Sequence, residues 1–221
     1  LMRELQIPKG VYTSTVAINS NTNGKVVDES YRFSGEHLSE YDRTKWRAHY
    51  EVAAPMIEAG LPLVIVQPGV TYGPGDTSAI REVLVQYLTG KLPMVPDKTA
   101  YSWAHVEDTA RGHLLAMERG KIGQSYFLIG PAHTLSEALQ IAERITGIKA
   151  PRIKAAPGML KAMSALMGLV ETVIPISGQY SSETLRVSAG VTYLGGSAKA
   201  ERELGFAARS LEEGLRETLA Y

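Results

Sequence analysis

The chain has 221 residues, enough for one large domain or two small ones whose core needs no covalent staples. Its 23 basic and 23 acidic residues cancel and 44% of it is apolar, which argues against a nucleic-acid-binding stripe, a polyacidic tail or a disordered segment. With no cysteine there is no disulfide framework, thiolate metal site or cysteine nucleophile, and a reducing, cytoplasmic compartment is the default.

The opening LMRELQIPKG has no leading Met and no secretory signal, and reads like the tail of a helix entering a strand. A further N-terminal part is therefore expected. The β-branched run GVYTSTVAI predicts a buried strand, and the polar, turn-rich SNTNGKVVDESYRFSGE a surface loop. A helix is predicted from Leu38 to Ala59, with Trp46, Tyr50, Ala53 and Ile57 along one stripe. LPLVIVQP is continuous and apolar, as a strand buried on both faces must be. GVTYGPGD then turns, and Asp76 is placed to cap a helix through TSAIREVLVQYLTG. GPGD holds a lone Gly-x-Gly and reads only as a turn.

Further on, YSWAHV and SYFLIG read as strands on either side of a helical EDTARGHLLAMERG. TLSEALQIAERITG carries Thr134 and Glu137 at capping-box spacing and stops at Gly147; Ser210 and Glu213 repeat the spacing in SLEEGLRETLAY. No apolar run reaches the roughly 20 residues that cross a bilayer, so neither a membrane nor a nucleic acid is expected as a partner. The longest run, MLKAMSALMGLVETVI, is interrupted by Lys161 and Glu171. Within it Met159, Met163, Leu166, Met167 and Val170 share a helical face, read first as core packing and second as the wall or lid of a substrate pocket. The five histidines show no metal spacing.

Alternating strands and helices with buried strands predict an α/β fold, a doubly wound sheet followed by a smaller, mostly helical lobe that begins near Asp76. Ligands of such sheets lie outside the carboxyl ends of the strands. Those ends are Thr13-Ser14-Thr15 and Gln67-Pro68-Gly69-Val70-Thr71.

One helical turn apart stand Tyr41 and Lys45, in SEYDRTKWRAHYEV. With 11 Tyr and 10 Lys in the chain, about half such a pair arises by chance. Tyr87 and Lys91 are a second one, straddling Gly90 at a helix end with no hydroxyl-bearing strand end before them. Tyr41 has what that pair lacks, because Thr13, Ser14 and Thr15 crowd a strand end some 26 residues earlier. The chemistry is coherent. A phenol ionises near pH 10, too high for a base at neutral pH, and a neighbouring ammonium favours its phenolate. A Ser or Thr hydroxyl opposite can hold a substrate oxygen while charge develops.

The order VYTST, YDRTK, LVIVQPGVTYGPGD and WAHVEDTARGHLLAMERG resembles the extended short-chain dehydrogenase/reductase superfamily, the group of nucleotide-sugar epimerases and dehydratases, hydroxysteroid dehydrogenases and dihydroflavonol-type reductases. The closing VTYLGGSAKAERELGFAARSLEEGLRETLAY is similar to the ending of its reductase-like members. The resemblance implies NAD or NADP as cofactor, Tyr41 as general acid/base, and Lys45 as its partner and ribose ligand. It implies Thr15 as the catalytic hydroxyl, with Ser14 as the alternative one residue away. Pro68, Gly69 and Val70 would lie against the nicotinamide. His105 and Asp108 match a stretch with a structural role, Asp108 bracing a helix.

The family begins with a glycine-rich phosphate turn that this sequence does not contain. By the resemblance, residues 1–75 are the second half of a Rossmann-type dinucleotide-binding domain and 76–221 mainly a substrate lobe, with strand 125–129 returning to the sheet. Roughly 100 residues, carrying the glycine-rich turn and the residue that selects NAD or NADP, are expected upstream. The chain by itself is expected to hold a dinucleotide poorly. Nucleotide-sugar members commonly read Arg-x-x-Asn-x-Tyr-Gly-Pro where this chain has Gln67 and Val70 in QPGVTYGP. That difference favours a carbonyl reductase or alcohol dehydrogenase acting on a small organic substrate. A nucleotide-sugar epimerase or dehydratase, with transient oxidation, is the alternative, and a non-catalytic dinucleotide-sensing member a second. Members commonly dimerise through the Tyr-bearing helix and the next one; the Trp46 and Tyr50 stripe suits that face or one turned to the sheet.

Overall fold

The protein is described by a computed structural model covering residues 1–174 and 181–220. Positions 175–180 and Tyr221, part of the stretch expected to be mostly helical, lie outside the described residues. Strand β1 (Gly10–Thr13) leads through a single 3-10 turn, Val16–Asn19, and a long loop into α1 (Glu40–Arg47). The predicted helix over 38–59 is continuous but not uniform: α1 widens into a π turn, Ala48–Ala53, before α2 (Ala54–Glu58). The wide turn sits where Pro55 has no N–H to offer the carbonyl of Glu51 four residues back.

Then come β2 (Leu63–Pro68), β3 (Val70–Tyr72), α3 (Ala79–Leu88), β4 (Val95–Pro96), β5 (Ala100–His105) and α4 (Val106–Arg119). After them follow β6 (Ser125–Leu128), β7 (Ala132–Thr134) and α5 (Leu135–Thr146). The last elements are β8 (Lys154–Ala155), α6 (Pro157–Glu171), α7 (Ser182–Val187), β9 (Thr192–Tyr193), α8 (Ala198–Leu204) and α9 (Leu211–Thr218).

β2 is the hub of a parallel three-stranded sheet, with β1 on one side and β6 on the other; Tyr12 faces Ile65 and Ile65 faces Ser125. Its Val64, Ile65 and Val66 are buried, as a strand enclosed on both faces requires. α4 and α8 cover this sheet, and Val64, Val66, Ala116, Tyr126, Leu128, Leu204 and Phe206 form one core cluster. A second sheet is built on β5. It pairs in parallel with β3 and β9 along one edge and antiparallel with β7 along the other. Trp103, Tyr72, Leu139, Leu211 and Leu215 centre a second core beneath α3, α5 and α9. Both capping boxes form as read, Thr134 with Glu137 and Ser210 with Glu213, and Gly147 ends α5 at φ 73°. No described helix is long and apolar enough to cross a membrane.

Four expectations need correction. The first strand stops at Thr13, because the Thr15 side chain accepts the Ala17 N–H at 3.2 Å and turns the chain away from the sheet. Ser78, not Asp76, caps α3, accepting the Ile80 N–H at 3.2 Å; the Asp76 carboxylate instead accepts the Ser78 N–H and hydroxyl at 2.7 and 3.0 Å. The polar loop after β1 is not all surface: Thr22 is buried and donates to the Thr192 carbonyl at 3.0 Å, and Val27 bridges Gly195. The shared face of α6 is not core. Leu160, Ser164 and Met167 turn inward onto α7, while Met159, Met163 and Leu166 are exposed.

Candidate active site

The two strand ends named by the sequence meet the N-terminus of α1 across one cleft of about 750 Å³. Thr15 lies two residues past the end of β1 and caps the 3-10 turn that follows. Gly69 and Val70 contribute the turn between β2 and β3, and Tyr41 the first turn of α1. The far wall comes from the second half of the chain, with Tyr101 and Tyr193 on β5 and β9, and Ser182 and Arg186 on α7.

Each side chain is placed by a local cause. Ser39 caps α1 by accepting the Asp42 N–H at 3.0 Å, which aims the first turn of the helix at the cleft. Tyr41 is 53% exposed, and its hydroxyl has no hydrogen bond among the described residues. Lys45 lies one turn behind it, half-buried, with Nζ 5.7 Å from the Tyr41 ring centroid. Thr15 is buried to its hydroxyl. Because Oγ1 accepts from Ala17, its own proton is left to donate into the cleft. Gly69 must be glycine for packing: a Cβ there would lie 2.1 Å from the Ser102 carbonyl oxygen of β5.

Not all of the sequence-read residues reach the cleft wall. Ser14 is buried and its hydroxyl pairs with His49 Nδ1 at 2.9 Å. Burial, then the nearby Arg32 guanidinium, push His49 down to about 4, so this partner is the neutral imidazole. Lys45 stands behind Tyr41, and Pro68 is the last residue of β2, paired with Leu128. The Trp46 and Tyr50 stripe faces neither the sheet nor the solvent alone. Arg32 lies over Tyr50 at 4.6 Å and over Trp46 at 5.8 Å, and the His37 ring is 5.7 Å from Trp46.

Two cleft residues escaped the sequence reading. Asp42 is buried beside Tyr41 and accepts the Tyr193 hydroxyl at 3.0 Å and the Ser20 hydroxyl at 3.5 Å. Burial raises the Asp42 carboxyl above its usual range against those hydrogen bonds, and burial plus the Asp42 charge raise the Tyr193 phenol, which stays a donor. Tyr193 in turn stacks on Tyr101, rings 6.2 Å apart and 9° from parallel. The Ser39-x-x-Asp42 spacing was a visible helix-start signal; its distant partner was not.

Outside the cleft, Asp108 braces α4 against the segment before α9. It accepts the Arg209 N–H at 2.9 Å and the Arg209 guanidinium at 3.1 Å. His105, Glu107 and Glu217 gather at the same place, but Arg209 already donates to both glutamates.

The residues present fit the nicotinamide end of a dinucleotide. Lys45 offers a half-buried ammonium with no hydrogen bond or ion pair among the described residues, next to an accessible phenol. Ribose hydroxyls are suitable acceptors for such a group. A phosphate-binding glycine turn is not part of this sequence.

The chain is similar to several known proteins. A putative dihydroflavonol 4-reductase of Synechocystis sp. is 32% identical over 96% of this chain and 64% of its own length. A 4-hydroxy-2-methyl-3-oxo-4-farnesyl-3,4-dihydroquinoline-1-oxide ketoreductase of Stigmatella aurantiaca is 30% identical over 96% of the chain and 65% of its own length. The crystal structure of gox2253 superimposes with a TM-score of 0.83 at 30% identity, over 98% of this chain and 66% of that one. The chain thus spans about two-thirds of the length of these relatives. Residues 1–130 match the NAD dependent epimerase/dehydratase family, and the chain belongs to that family.

Proposed function

We propose that the whole protein is an NAD- or NADP-dependent oxidoreductase that reduces a carbonyl, or oxidises the corresponding alcohol, of a small apolar substrate. The observation that carries this reading is the convergence of Tyr41 and Thr15 on one cleft over Gly69 and Val70, with the free Lys45 ammonium behind the phenol. When bound, the nicotinamide supplies or accepts the hydride. In the reducing direction Tyr41 gives its proton to the substrate oxygen as the carbon is reduced. The Thr15 O–H donates to the same oxygen and steadies its developing charge. The Lys45 ammonium favours the resulting phenolate and would hold the ribose hydroxyls of the cofactor. Gly69 and Val70, which reach the cleft, would back the nicotinamide ring, with Pro68 behind them as the end of β2.

Substrate class follows from the wall. Val70 presents a hydrocarbon where nucleotide-sugar members commonly have Asn, and the stacked Tyr101 and Tyr193 form a flat aromatic surface opposite. The names of the Synechocystis and Stigmatella relatives, a putative dihydroflavonol 4-reductase and a farnesyl-dihydroquinoline-oxide ketoreductase, support a carbonyl substrate with apolar rings or chains. Dimerisation through the Tyr41 helix belongs to this reading too: Val52 and Met56 are exposed on its outer side.

The test uses the whole protein with either reduced nicotinamide and a panel of aryl and isoprenoid ketones. Net loss of nicotinamide absorbance is expected, and Tyr41→Phe should abolish it while nicotinamide binding persists. Equal rates for wild type and Tyr41→Phe would sink the proposal. Interconversion of sugar nucleotides with no net change in the nicotinamide would replace it by the epimerase reading.

A further inference from the structure

The far wall of the cleft holds a phenol with nothing to bond. Tyr101 is half-buried on β5 and borders the cleft, and its hydroxyl makes no hydrogen bond among the described residues. Enclosed phenols elsewhere use theirs: Tyr87 donates to the Ile148 carbonyl at 2.5 Å, Tyr126 to the Glu203 carboxylate at 3.1 Å and Tyr193 to Asp42 at 3.0 Å. Tyr72 also lacks a partner among the described residues, but it packs into the core beneath α9, beside Gly214. Proteins seldom leave an enclosed polar group without a partner, and at a cleft wall the missing partner belongs to a ligand. Burial pushes the Tyr101 phenol up to about 12, so at neutral pH it is a donor.

The ring is fixed in place. Tyr101 and Tyr193 are partners in the β5–β9 register, with rings 6.2 Å apart and 9° from parallel. Trp103, two residues on, meets the Tyr101 ring edge-on at 6.2 Å. Ser102 ties the same strands again: its hydroxyl donates to the Gly195 carbonyl at 3.2 Å and accepts the Gly195 N–H at 3.0 Å. Tyr193 is in turn anchored by Asp42, next to Tyr41 on α1. Asp42 is 2% exposed and makes no ion pair among the described residues; one of its oxygens accepts the Tyr193 and Ser20 hydroxyls. A carboxyl taken out of water with no cation beside it is costly. What this one does is tie Tyr193 to the helix that carries Tyr41.

Tyr41 and Thr15 address the reacting oxygen, so a donor on the opposite wall addresses a different one. We propose that Tyr101 is a specificity-determining residue whose O–H donates to a second oxygen of the substrate, remote from the carbonyl that is reduced. Asp42 is a positioning residue that holds the Tyr101 ring through Tyr193. The substrate class narrows to flat, largely apolar ketones or aldehydes with a hydroxyl or further carbonyl at the end away from the reacting carbon. This rests on the carbonyl-reductase reading above.

Calorimetric titration of the whole protein, loaded with oxidised nicotinamide dinucleotide so that ketones bind without reacting, tests it. The probes are acetophenone with its meta- and para-hydroxy derivatives, and benzylacetone with its para-hydroxyphenyl analogue. A hydroxylated ketone should bind roughly tenfold tighter than its parent, and Tyr101→Phe should bring that ratio to about one. Asp42→Ala and Tyr193→Phe break one bond from either side, so each should lower the ratio and the pair together no further than either alone. Asp42→Asn, which keeps an acceptor for Tyr193, should retain it. A purely structural role would weaken parent and derivative alike and leave the ratio unmoved. The proposal is overturned if no hydroxylated ketone is preferred, or if Tyr101→Phe keeps the preference. The positioning role of Asp42 is overturned if Asp42→Ala and Tyr193→Phe keep it. Preferential binding without consumption of reduced nicotinamide would remove the oxidoreductase reading and leave Tyr101 in its role.

Discussion

Tyr41 with Lys45 and Tyr87 with Lys91 share one spacing and have opposite surroundings. Tyr41 is half exposed, its hydroxyl free among the described residues, and it shares a cleft with Thr15 and Gly69. Tyr87 is 2% exposed on the inner side of α3, and its hydroxyl is held by the Ile148 carbonyl at 2.5 Å and by Thr146 Oγ1 at 3.0 Å. Gly90, at φ 67°, breaks the second pair before Lys91. In the proposed function, a Tyr and a Lys one turn apart act as a proton-transfer device only where a sheet brings strand ends to them. Elsewhere the phenol is a core residue with a satisfied polar tip.

The largest effect that could break this contrast is on turnover. Tyr41→Phe should lower kcat by about 10²- to 10⁴-fold, as loss of a general acid/base does, with unchanged thermal unfolding. A comparable loss for Tyr87→Phe would erase the distinction. Next, Thr15→Ala should lower kcat by about 10²-fold, Thr15→Ser should restore most of it, and Ser14→Ala should leave it near wild type. Steady-state rates of the three decide which hydroxyl works.

Acid stability probes the support behind Ser14. The folded state keeps His49 neutral down to about pH 4, whereas the unfolded chain takes up a proton near 6.5. Stability from this group is whole above pH 6.5, falls as the pH drops towards 4, and loses about 3 kcal/mol in all. Urea titrations across that window should show the decline, and His49→Gln should flatten it. Smaller still, Tyr87→Phe should cost about 1–2 kcal/mol, since a buried carbonyl and hydroxyl lose their partner. Lys91→Ala, at an exposed position, should change neither rate nor stability by a measurable amount.

Much of the sheet was legible because its signals are local. The run Val64 to Val66 is apolar without alternation, and it became the enclosed hub strand. Thr134 with Glu137 and Ser210 with Glu213 became capping boxes, because a cap depends on residues three apart. The misreadings involve choices that local sequence leaves open. Asp76 and Ser78 are both good caps, and which one bonds the helix depends on how the loop after Tyr72 closes. Met159, Met163 and Leu166 carry a periodic apolar signal that is the same for a face turned to a core or to a surrounding medium.

The sequence by itself determined the α/β class, the parallel hub strand and the two strand ends that flank Tyr41, since these follow from periodicity, caps and turn residues within short windows. The short strands β3, β4, β7, β8 and β9 were not legible in it. Only the tertiary structure decided which hydroxyl faces the cleft, that Asp42 is held by Tyr193 from 151 residues away, and which side of α6 stays uncovered. Those outcomes depend on contacts between distant segments, and on rotations of single side chains that no spacing along the chain specifies.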